Sequence, residues 1–296
     1  MKLIKPSFEI WNQPAGLEGV YKQIERVGRV CYKSEDKITE DSAKPFVDRM
    51  IASGHGAMLE HGTVYLKCKT EVINRYIHPE DGEEEDFNKL EKYEYNSYSV
   101  TNDDGIYLYV TTNLRVLVEN DWLDDLQYIC EPTEFHEKRI TVHFVCDRGV
   151  SHEFVRHRVM SFAQESTRYC NYSKDKFGNE LTFIQPCWLD DERLKLYGPY
   201  HTVIRDKSLE SIFIASLNNA EKDYIDLIDL GWKPQEARAV LPNSLKTELV
   251  VTGFVSDWNH FFDLRARGTT GAPHPQAKEL AEPLMKEFIA RKYINN

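Results

Sequence analysis

The sequence predicts an α+β fold, one mixed domain of strands and helices that carries one large insertion. Three observations predict it. Apolar residues alternate with polar ones at Val64, Leu66 and Cys68, and again at Ile140, Val142, Phe144 and Cys146. That is the period of a half-buried strand. Toward both ends of the chain the spacing turns helical, in Leu17, Val20, Ile24, Val27 and Cys31 and in Ile212, Leu217, Ala220, Tyr224 and Leu227. Between 71 and 138 the composition breaks, with 18 acidic residues against five basic ones and a net charge of −13.

In chain order, Leu17 to Cys31 reads as the buried face of a first helix, and Ala43, Phe46, Val47, Met50 and Ile51 mark a second. Gly54 and Gly56 flank His55 in a loop, and Val64 to Cys68 is a strand. In the acidic segment, Glu80 to Asp86 is nearly all carboxylate and reads as a solvated loop. Tyr93 and Tyr95, and then Ile106, Leu108 and Val110, read as two strands joined by Asn102-Asp103-Asp104-Gly105, a good hairpin connection. Leu114 to Glu119 and Trp122 to Ile129 read as helices. The strand at 139–147 ends at Gly149. Ser151 is a candidate N-cap, and Glu153 lies in the first turn, where the helix dipole favours an acid. That short helix would carry Phe154 to Arg158. A long helix runs from Leu209 to Leu230 and is stopped by Gly231. Pro234 opens another in the favoured first turn and Pro242 ends it. Leu249 to Thr252 is a strand, and Trp258 to Arg265 and Gln276 to Arg291 are helices.

Composition excludes several classes. The 296 residues carry 41% hydrophobic side chains, enough for a core and unlike a disordered chain. A net charge of −11 argues against gripping nucleic acid backbone over a broad surface, which needs a basic protein. No run approaches the roughly 18 apolar residues of a membrane helix, and Met1 to Trp11 lacks the apolar stretch of a signal peptide. The six cysteines, Cys31, Cys68, Cys130, Cys146, Cys170 and Cys187, are scattered with no CxxC pair, as in reduced cytosolic thiols. A cytoplasmic location, no membrane partner and no nucleic acid partner are the expectations.

Familiar motifs are mostly missing. There is no GxGxxG after a strand and no GK[ST] phosphate loop. His152-Glu153 followed by His157 is one residue too long for a zinc protease helix, since a spacing of five puts the imidazoles about 140° apart. His55, Glu60 and His61 could ligate a metal, but read more simply as loop and strand-start residues with ordinary hydrogen bonds. No metal is expected. The dense feature is Arg156-His157-Arg158-Val159-Met160-Ser161-Phe162-Ala163-Gln164-Glu165-Ser166-Thr167-Arg168-Tyr169. Three guanidiniums, an imidazole and two serines lie in one stretch with little acid to pair them. Arginine's planar fork of donors suits phosphate and the carbonyl edge of a base. A solvated cationic face would explain an isolated Arg-His-Arg. Here the cluster follows a buried strand and its donors recur through an irregular segment, which favours an anion pocket.

Arg156-His157-Arg158, seven residues and then Ser166 resembles the signature of the flavin-dependent thymidylate synthases, and Arg168-Tyr169 fits after it. Flanking blocks resemble the same family in the same order: Gly28-Arg29-Val30-Cys31-Tyr32, Gly54-His55 with Leu59-Glu60-His61, Glu236 to Pro242, and Trp258 through Leu264-Arg265. The resemblance covers roughly 15–69 and 139–285. It implies a mainly antiparallel sheet flanked by helices, in one catalytic domain over 1–296 with an acidic insertion at about 70–138. It implies methylation of dUMP to dTMP, with methylenetetrahydrofolate as carbon donor and FAD reduced by NADPH as hydride carrier. It also implies a homotetramer with shared active sites.

The resemblance assigns roles residue by residue. Arg156, His157 and Arg158 would hold FAD, with Arg156 also near the nucleotide. Glu153, Gln164, Glu165, Ser166, Thr167 and Arg168 would line the dUMP site, and Arg238 would reach it from a neighbouring subunit. Gln164 also borders the flavin. Arg265 would face the pyrimidine N3/O2 edge and stabilise charge there. His260 and Phe254 to Ser256 would contact flavin, and His55 would lie near flavin and folate. Ala57, Ala163 and Phe254 depart from the residue types common in the family, as does Gln164 where many members have Glu. Uracil C5 is a poor nucleophile, and a guanidinium that cannot deprotonate suits charge developing at N3 and O2. Ser166 has no attached base and reads as a positioning residue rather than a covalent nucleophile. Cys187 follows Pro186, but no surrounding block matches the cysteine-dependent synthases. The alternative is a non-catalytic nucleotide-binding protein that retains the dUMP pocket, which would bind dUMP without labilising its C5 hydrogen. Single-stranded nucleic acid binding and metal-dependent hydrolysis rank below both.

Overall fold

Short strands β1 (Lys2–Ile4) and β2 (Ser7–Trp11) lead into helix α1 (Gly16–Tyr32), then α2 (Ala43–Ala52) and the single turn α3 (Gly56–Leu59). Strand β3 (Thr63–Lys69) enters the acidic segment, which holds β4 (Ile73–Ile77), β5 (Glu84–Asn88), β6 (Val100–Asp103), β7 (Tyr107–Asn113) and α4 (Leu114–Glu119). The second half runs β8 (Arg139–Asp147), α5 (Arg148–Phe154), β9 (Ser161–Gln164), β10 (Thr182–Ile184), α6 (Leu209–Asp229), α7 (Pro234–Ala237), β11 (Lys246–Phe254), α8 (Val255–Phe262) and α9 (Pro275–Ala290). This computed structural model describes residues 1–70, 73–77, 84–189, 192 and 208–295. Part of the acidic run Glu80 to Asp86 lies outside them. Among the described residues no helix is long and apolar enough to cross a membrane.

The central sheet has the order β2-β8-β11-β9, with every neighbour antiparallel. β8 and β11 pair along their whole length, from Arg139↔Phe254 to Asp147↔Lys246. The alternation that predicts β8 sends Ile140, Val142, Phe144 and Cys146 to one face, where Leu249 and Val251 of β11 join them. α8 and α9 cover that face with Trp258, Phe261, Phe262, Leu280, Leu284 and Phe288. Full burial of each large side chain contributes roughly 1.5–3 kcal/mol. The other face carries Val250 and Ala163, which pack under Val27 and Val30 of α1. Gly28 permits the close α1–α2 approach, because a Cβ there would lie 2.5 Å from the Phe46 ring. The parallel pair β1–β10 completes a mixed but mainly antiparallel fold flanked by helices.

The acidic segment is stitched into the core. β7 pairs with β3 from Thr63↔Asn113 to Lys69↔Tyr107, and with β6 on its other edge. Leu90, Tyr93, Leu108, Val110, Leu114 and Leu117 fill one core together with Val20, Ile24, Phe46, Val47 and Leu59. The Tyr93 hydroxyl donates to Asp125 (3.0 Å), which also pairs with Lys92 (2.6 Å).

Several local expectations are revised. Tyr93 and Tyr95 lie in a 3₁₀ helix, Glu91–Tyr95, because burying Tyr93 while leaving Tyr95 in solvent satisfies the same apolar pattern without a strand. The strand before the hairpin is β6, and Asp104 and Gly105 form the turn, with Gly105 at φ +85°. Glu84 to Asp86 belong to β5, paired with β4, rather than to a loop. Leu123–Tyr128 winds as 3₁₀. On α6 Ile214 is buried and Ile212 is exposed. Gly231, at φ +102°, follows the end of that helix as expected.

Candidate active site

The site is built where β8 turns into α5. Asp147, not Ser151, caps α5: its Oδ1 accepts from Val150 N at 2.7 Å. Its Oδ2 accepts from Gln276 Nε2 at 2.6 Å, which ties the cap to α9. Burial pushes the Asp147 carboxyl up, against those hydrogen bonds. α5 ends at Phe154, so the Arg156-His157-Arg158 run lies beyond it. Phe154, His157 and Met160 face inward, and Arg156 and Arg158 face solvent. Among the described residues the Arg156 and Arg158 guanidiniums make no hydrogen bond or ion pair.

Arg265 approaches the same place from a π-helical turn, Asp263–Arg267, that follows α8. Such turns often mark functional sites. Its Nη1 donates to Glu153 Oε2 (2.5 Å), its Nη2 to the Glu153 carbonyl (3.0 Å) and its Nε to His157 Nε2 (3.0 Å). The last bond requires a lone pair on Nε2, so His157 is neutral with its proton on Nδ1. Burial, then the charges of Arg265 and His260, lower the His157 pKa to about 4. The His157 ring lies edge-on to His260 (centroids 6.0 Å apart) and Phe261 (4.9 Å). Three of the five guanidinium N–H groups of Arg265 are therefore engaged and two remain for a ligand.

The donor-rich stretch after the motif includes strand β9, which a sequence period could not show because it is only four residues long. Gln164 Nε2 bonds Ser151 Oγ (2.8 Å) and Thr247 Oγ1 (3.2 Å). Glu165 is buried and accepts from Tyr172 OH (2.9 Å) and Lys246 Nζ (2.8 Å), so its carboxylate is committed to protein partners. Lys246 and Lys33 both pair with Glu248, and His143 Nε2 lies 2.9 Å from the same carboxylate. Burial raises the Glu248 pKa, but His143, Lys246 and Lys33 outweigh it and hold the group well below the usual carboxylate range. This network anchors the segment that presents Ser166, Thr167 and Arg168. Ser166 N donates to Cys31 O (3.0 Å) and Ser166 Oγ accepts from Arg168 N (3.3 Å). No base touches that hydroxyl among the described residues. Arg238 Nη1 donates to Thr167 Oγ1 of its own chain at 3.2 Å.

The predicted residues thus fall into two groups. Glu153, His157, His260 and Arg265 converge, and Glu165, Ser166, Thr167, Arg168 and Arg238 form a second group, with Gln164 between them on β9. Phe254 is buried under the Arg139 guanidinium (5.4 Å), and Ser256 N donates to Glu137 (2.9 Å). His55 is exposed at the start of α3, and none of its side-chain contacts ties it to either group. Glu60 pairs with Arg115, and buried His61 bonds Thr252 Oγ1, so the histidine loop does not converge on a metal geometry. Desolvation pushes up all six thiols, which gives no activated cysteine. Sequence reasoning missed Lys246 and Arg148. Only their positions at facing ends of β11 and β8 could have flagged them. Two cavities flank Asn243. One of about 290 Å³ is bordered by Glu153, Trp188 and His274, and one of about 220 Å³ by Arg148, Thr167 and Arg238.

The model of the family described as thymidylate synthase complementing protein matches residues 121–291. A flavin-dependent thymidylate synthase of Pyrococcus furiosus is 32% identical over 149 residues, 50% of this chain and 53% of that one. One from Geobacter sulfurreducens is 29% identical over 118 residues, 40% of this chain and 43% of that one. The chain spans about half the length of the curated relatives it matches. A solved UMP/dUMP methylase, PolB of Streptomyces cacaoi, aligns over 98% of this chain and 93% of its own at 18% identity and a TM-score of 0.43.

Proposed function

The chain belongs to the thymidylate synthase complementing protein family, and from that premise we propose that it is a flavin-dependent thymidylate synthase. It converts dUMP to dTMP: the C5–H of uracil is replaced by a methyl group, methylenetetrahydrofolate gives the carbon, NADPH gives the hydride and the C5 proton leaves. The observation that carries the reading is Arg265, fixed by Glu153 and His157 with two N–H groups still to give.

The residues fit a flavin dinucleotide by their donor chemistry. Arg156 and Arg158, whose guanidiniums have no partner among the described residues, flank His157 of the His157–His260 ring pair, a set suited to a pyrophosphate and a flat ring system. His55, Gln164, Phe254 and Ser256 complete the proposed border of that site. The flavin supplies hydride transfer when bound. The protein does the rest. Arg265 holds positive charge at the uracil N3/O2 edge, where negative charge develops as C5 is activated. Glu153 and His157 keep that guanidinium from rotating, so no reorganisation is needed when charge appears. Arg156, Gln164, Ser166, Thr167, Arg168 and Arg238 orient the nucleotide, Ser166 by hydrogen bonding. Glu165, tied to Lys246 and Tyr172, holds this loop rather than the substrate.

We also place the enzyme in the cytoplasm as a homotetramer, acting as one catalytic unit with the 70–138 segment as an addition. Exposed Leu209, Ile212, Leu230 and Trp232 on and after α6 support a subunit contact. The test is the absorption spectrum of the purified protein. Flavin bands should be present and should bleach on NADPH with dUMP. A protein that takes up no FAD even with dUMP present would overturn the reading.

A further inference from the structure

We propose that the seam between the acidic segment and the core binds a small organic carboxylate, at a site separate from the one proposed for nucleotide and flavin. A cavity of about 160 Å³ lies there, with Ala15, Gly16 and Arg139 on the core side and Ile129 and Glu131 on the side of the acidic segment. Arg139 opens β8 and is 8% exposed. Its Nη1 donates to the Glu60 carbonyl (2.9 Å) and Thr63 Oγ1 (3.4 Å), and its Nη2 to Ser161 Oγ (3.2 Å). All three acceptors are neutral. Its Nε has no hydrogen-bond partner, and no carboxylate forms an ion pair with the guanidinium among the described residues. The acids whose charge reaches it are engaged elsewhere, Glu60 with Arg115 and Asp257 with the Phe254 N–H (3.1 Å). A buried guanidinium is costly unless an anion compensates it. Burial lowers the Arg139 pKa to about 10, which still leaves it cationic at neutral pH.

The start of α1 adjoins the same cavity and calls for the same charge. No side chain caps this 17-residue helix, whose N-cap position is Ala15. The N–H groups of Gly16, Leu17 and Glu18 find no acceptor among the described residues. The positive end of the helix dipole and an uncompensated guanidinium therefore border one space. Glu131 is the one carboxylate among the described lining residues, and it is exposed, where water and salt screen its charge. One buried cation calls for a monoanion. Val20, Ile129 and Ile140 give the cavity apolar walls, so the anion's body is apolar. A carboxylate on a short apolar body meets both conditions, whereas a phosphate dianion would face a single guanidinium and fill the apolar side with oxygen.

The test measures calorimetric binding of benzoate to wild type, Arg139→Met and Ala15→Asp, and the thermal midpoint of each with and without it. Benzamide serves as the neutral isostere, and chloride keeps ionic strength equal. Wild type should bind benzoate and not benzamide, and its midpoint should rise with benzoate. Arg139→Met should weaken benzoate about 10- to 100-fold, the range for a lost charge-assisted contact. Ala15→Asp puts a capping carboxylate where that of the ligand would sit. It should raise the midpoint of the free protein and abolish the response to benzoate. This variant keeps Arg139, so it decides the matter even if Arg139→Met does not fold. A wild type that responds to neither compound, or equally to both, would overturn the proposal, as would wild-type benzoate affinity in either variant. The protein is used as purified, and the readout needs neither dUMP binding nor turnover, so the site can fail while the proposed function stands.

Discussion

Arg265 can hold its present geometry only while His157 is neutral, because a protonated imidazole offers Nε2 no lone pair. This has a pH consequence with a definite sign. Burial and the charges of Arg265 and His260 lower the folded pKa of His157 to about 4, from the ordinary imidazole value of 6.5. Between pH 6.5 and 4 the unfolded chain takes up a proton that the folded chain refuses, so stability falls as pH falls through that window. Buried His61, lowered to about 3 chiefly by burial, adds loss of the same sign. Denaturant midpoints measured from pH 7 to 4 should therefore drop, and His157→Gln should show a shallower slope. Identical slopes would deny the tautomer assignment. For Arg265→Ala, turnover should fall by about 100-fold or more, the scale for one preorganised charge-stabilising donor, with flavin content near wild type. Equal losses of both would make Arg265 a structural residue. Ser166→Ala should retain measurable dTMP synthesis, since no base touches its hydroxyl. The arginines, His157 and Ser166 were legible as letters in a motif. The commitment of Glu165 to Lys246 and Tyr172 was not, because those partners lie far along the chain.

Elements with a sustained period were legible, and short ones were not. β8 shows four alternating apolar residues and α1 five at helical spacing, and both form as read. β1, β9 and β10 have three or four residues each, too few for a period, and exist because neighbouring strands pair with them. The start of α5 was misplaced by a few residues, because Ser151 is a good cap by type whereas Asp147 is the residue whose carboxylate reaches Val150 N. Asp147→Ala should lower stability by about 1–2 kcal/mol, the usual cost of a lost cap at its upper end. It also strands the Gln276 amide that now holds α9 to α5. A urea midpoint unchanged by this substitution would show that the cap does not tie these two helices.

At the scale of the whole molecule, the net charge of −11 resolves into two parts. Residues 71–138 carry −13, and the remainder has 32 bases against 30 acids. The acidity belongs to residues 71–138, and the family match begins at 121, inside that stretch. Composition marked the acidic stretch but could not show that β7 pairs with β3 and shares a core with α1 and α2. Replacing 71–138 by a short linker should therefore abolish a cooperative melt, followed by circular dichroism. An intact melt would mean that the segment is a detachable module. Catalysis is read most directly by tritium release from dUMP labelled at C5, with FAD, methylenetetrahydrofolate and NADPH supplied. The predicted result is release that keeps pace with dTMP formation and NADPH oxidation. Tight dUMP binding with no tritium released would contradict it and leave a nucleotide-binding protein without turnover.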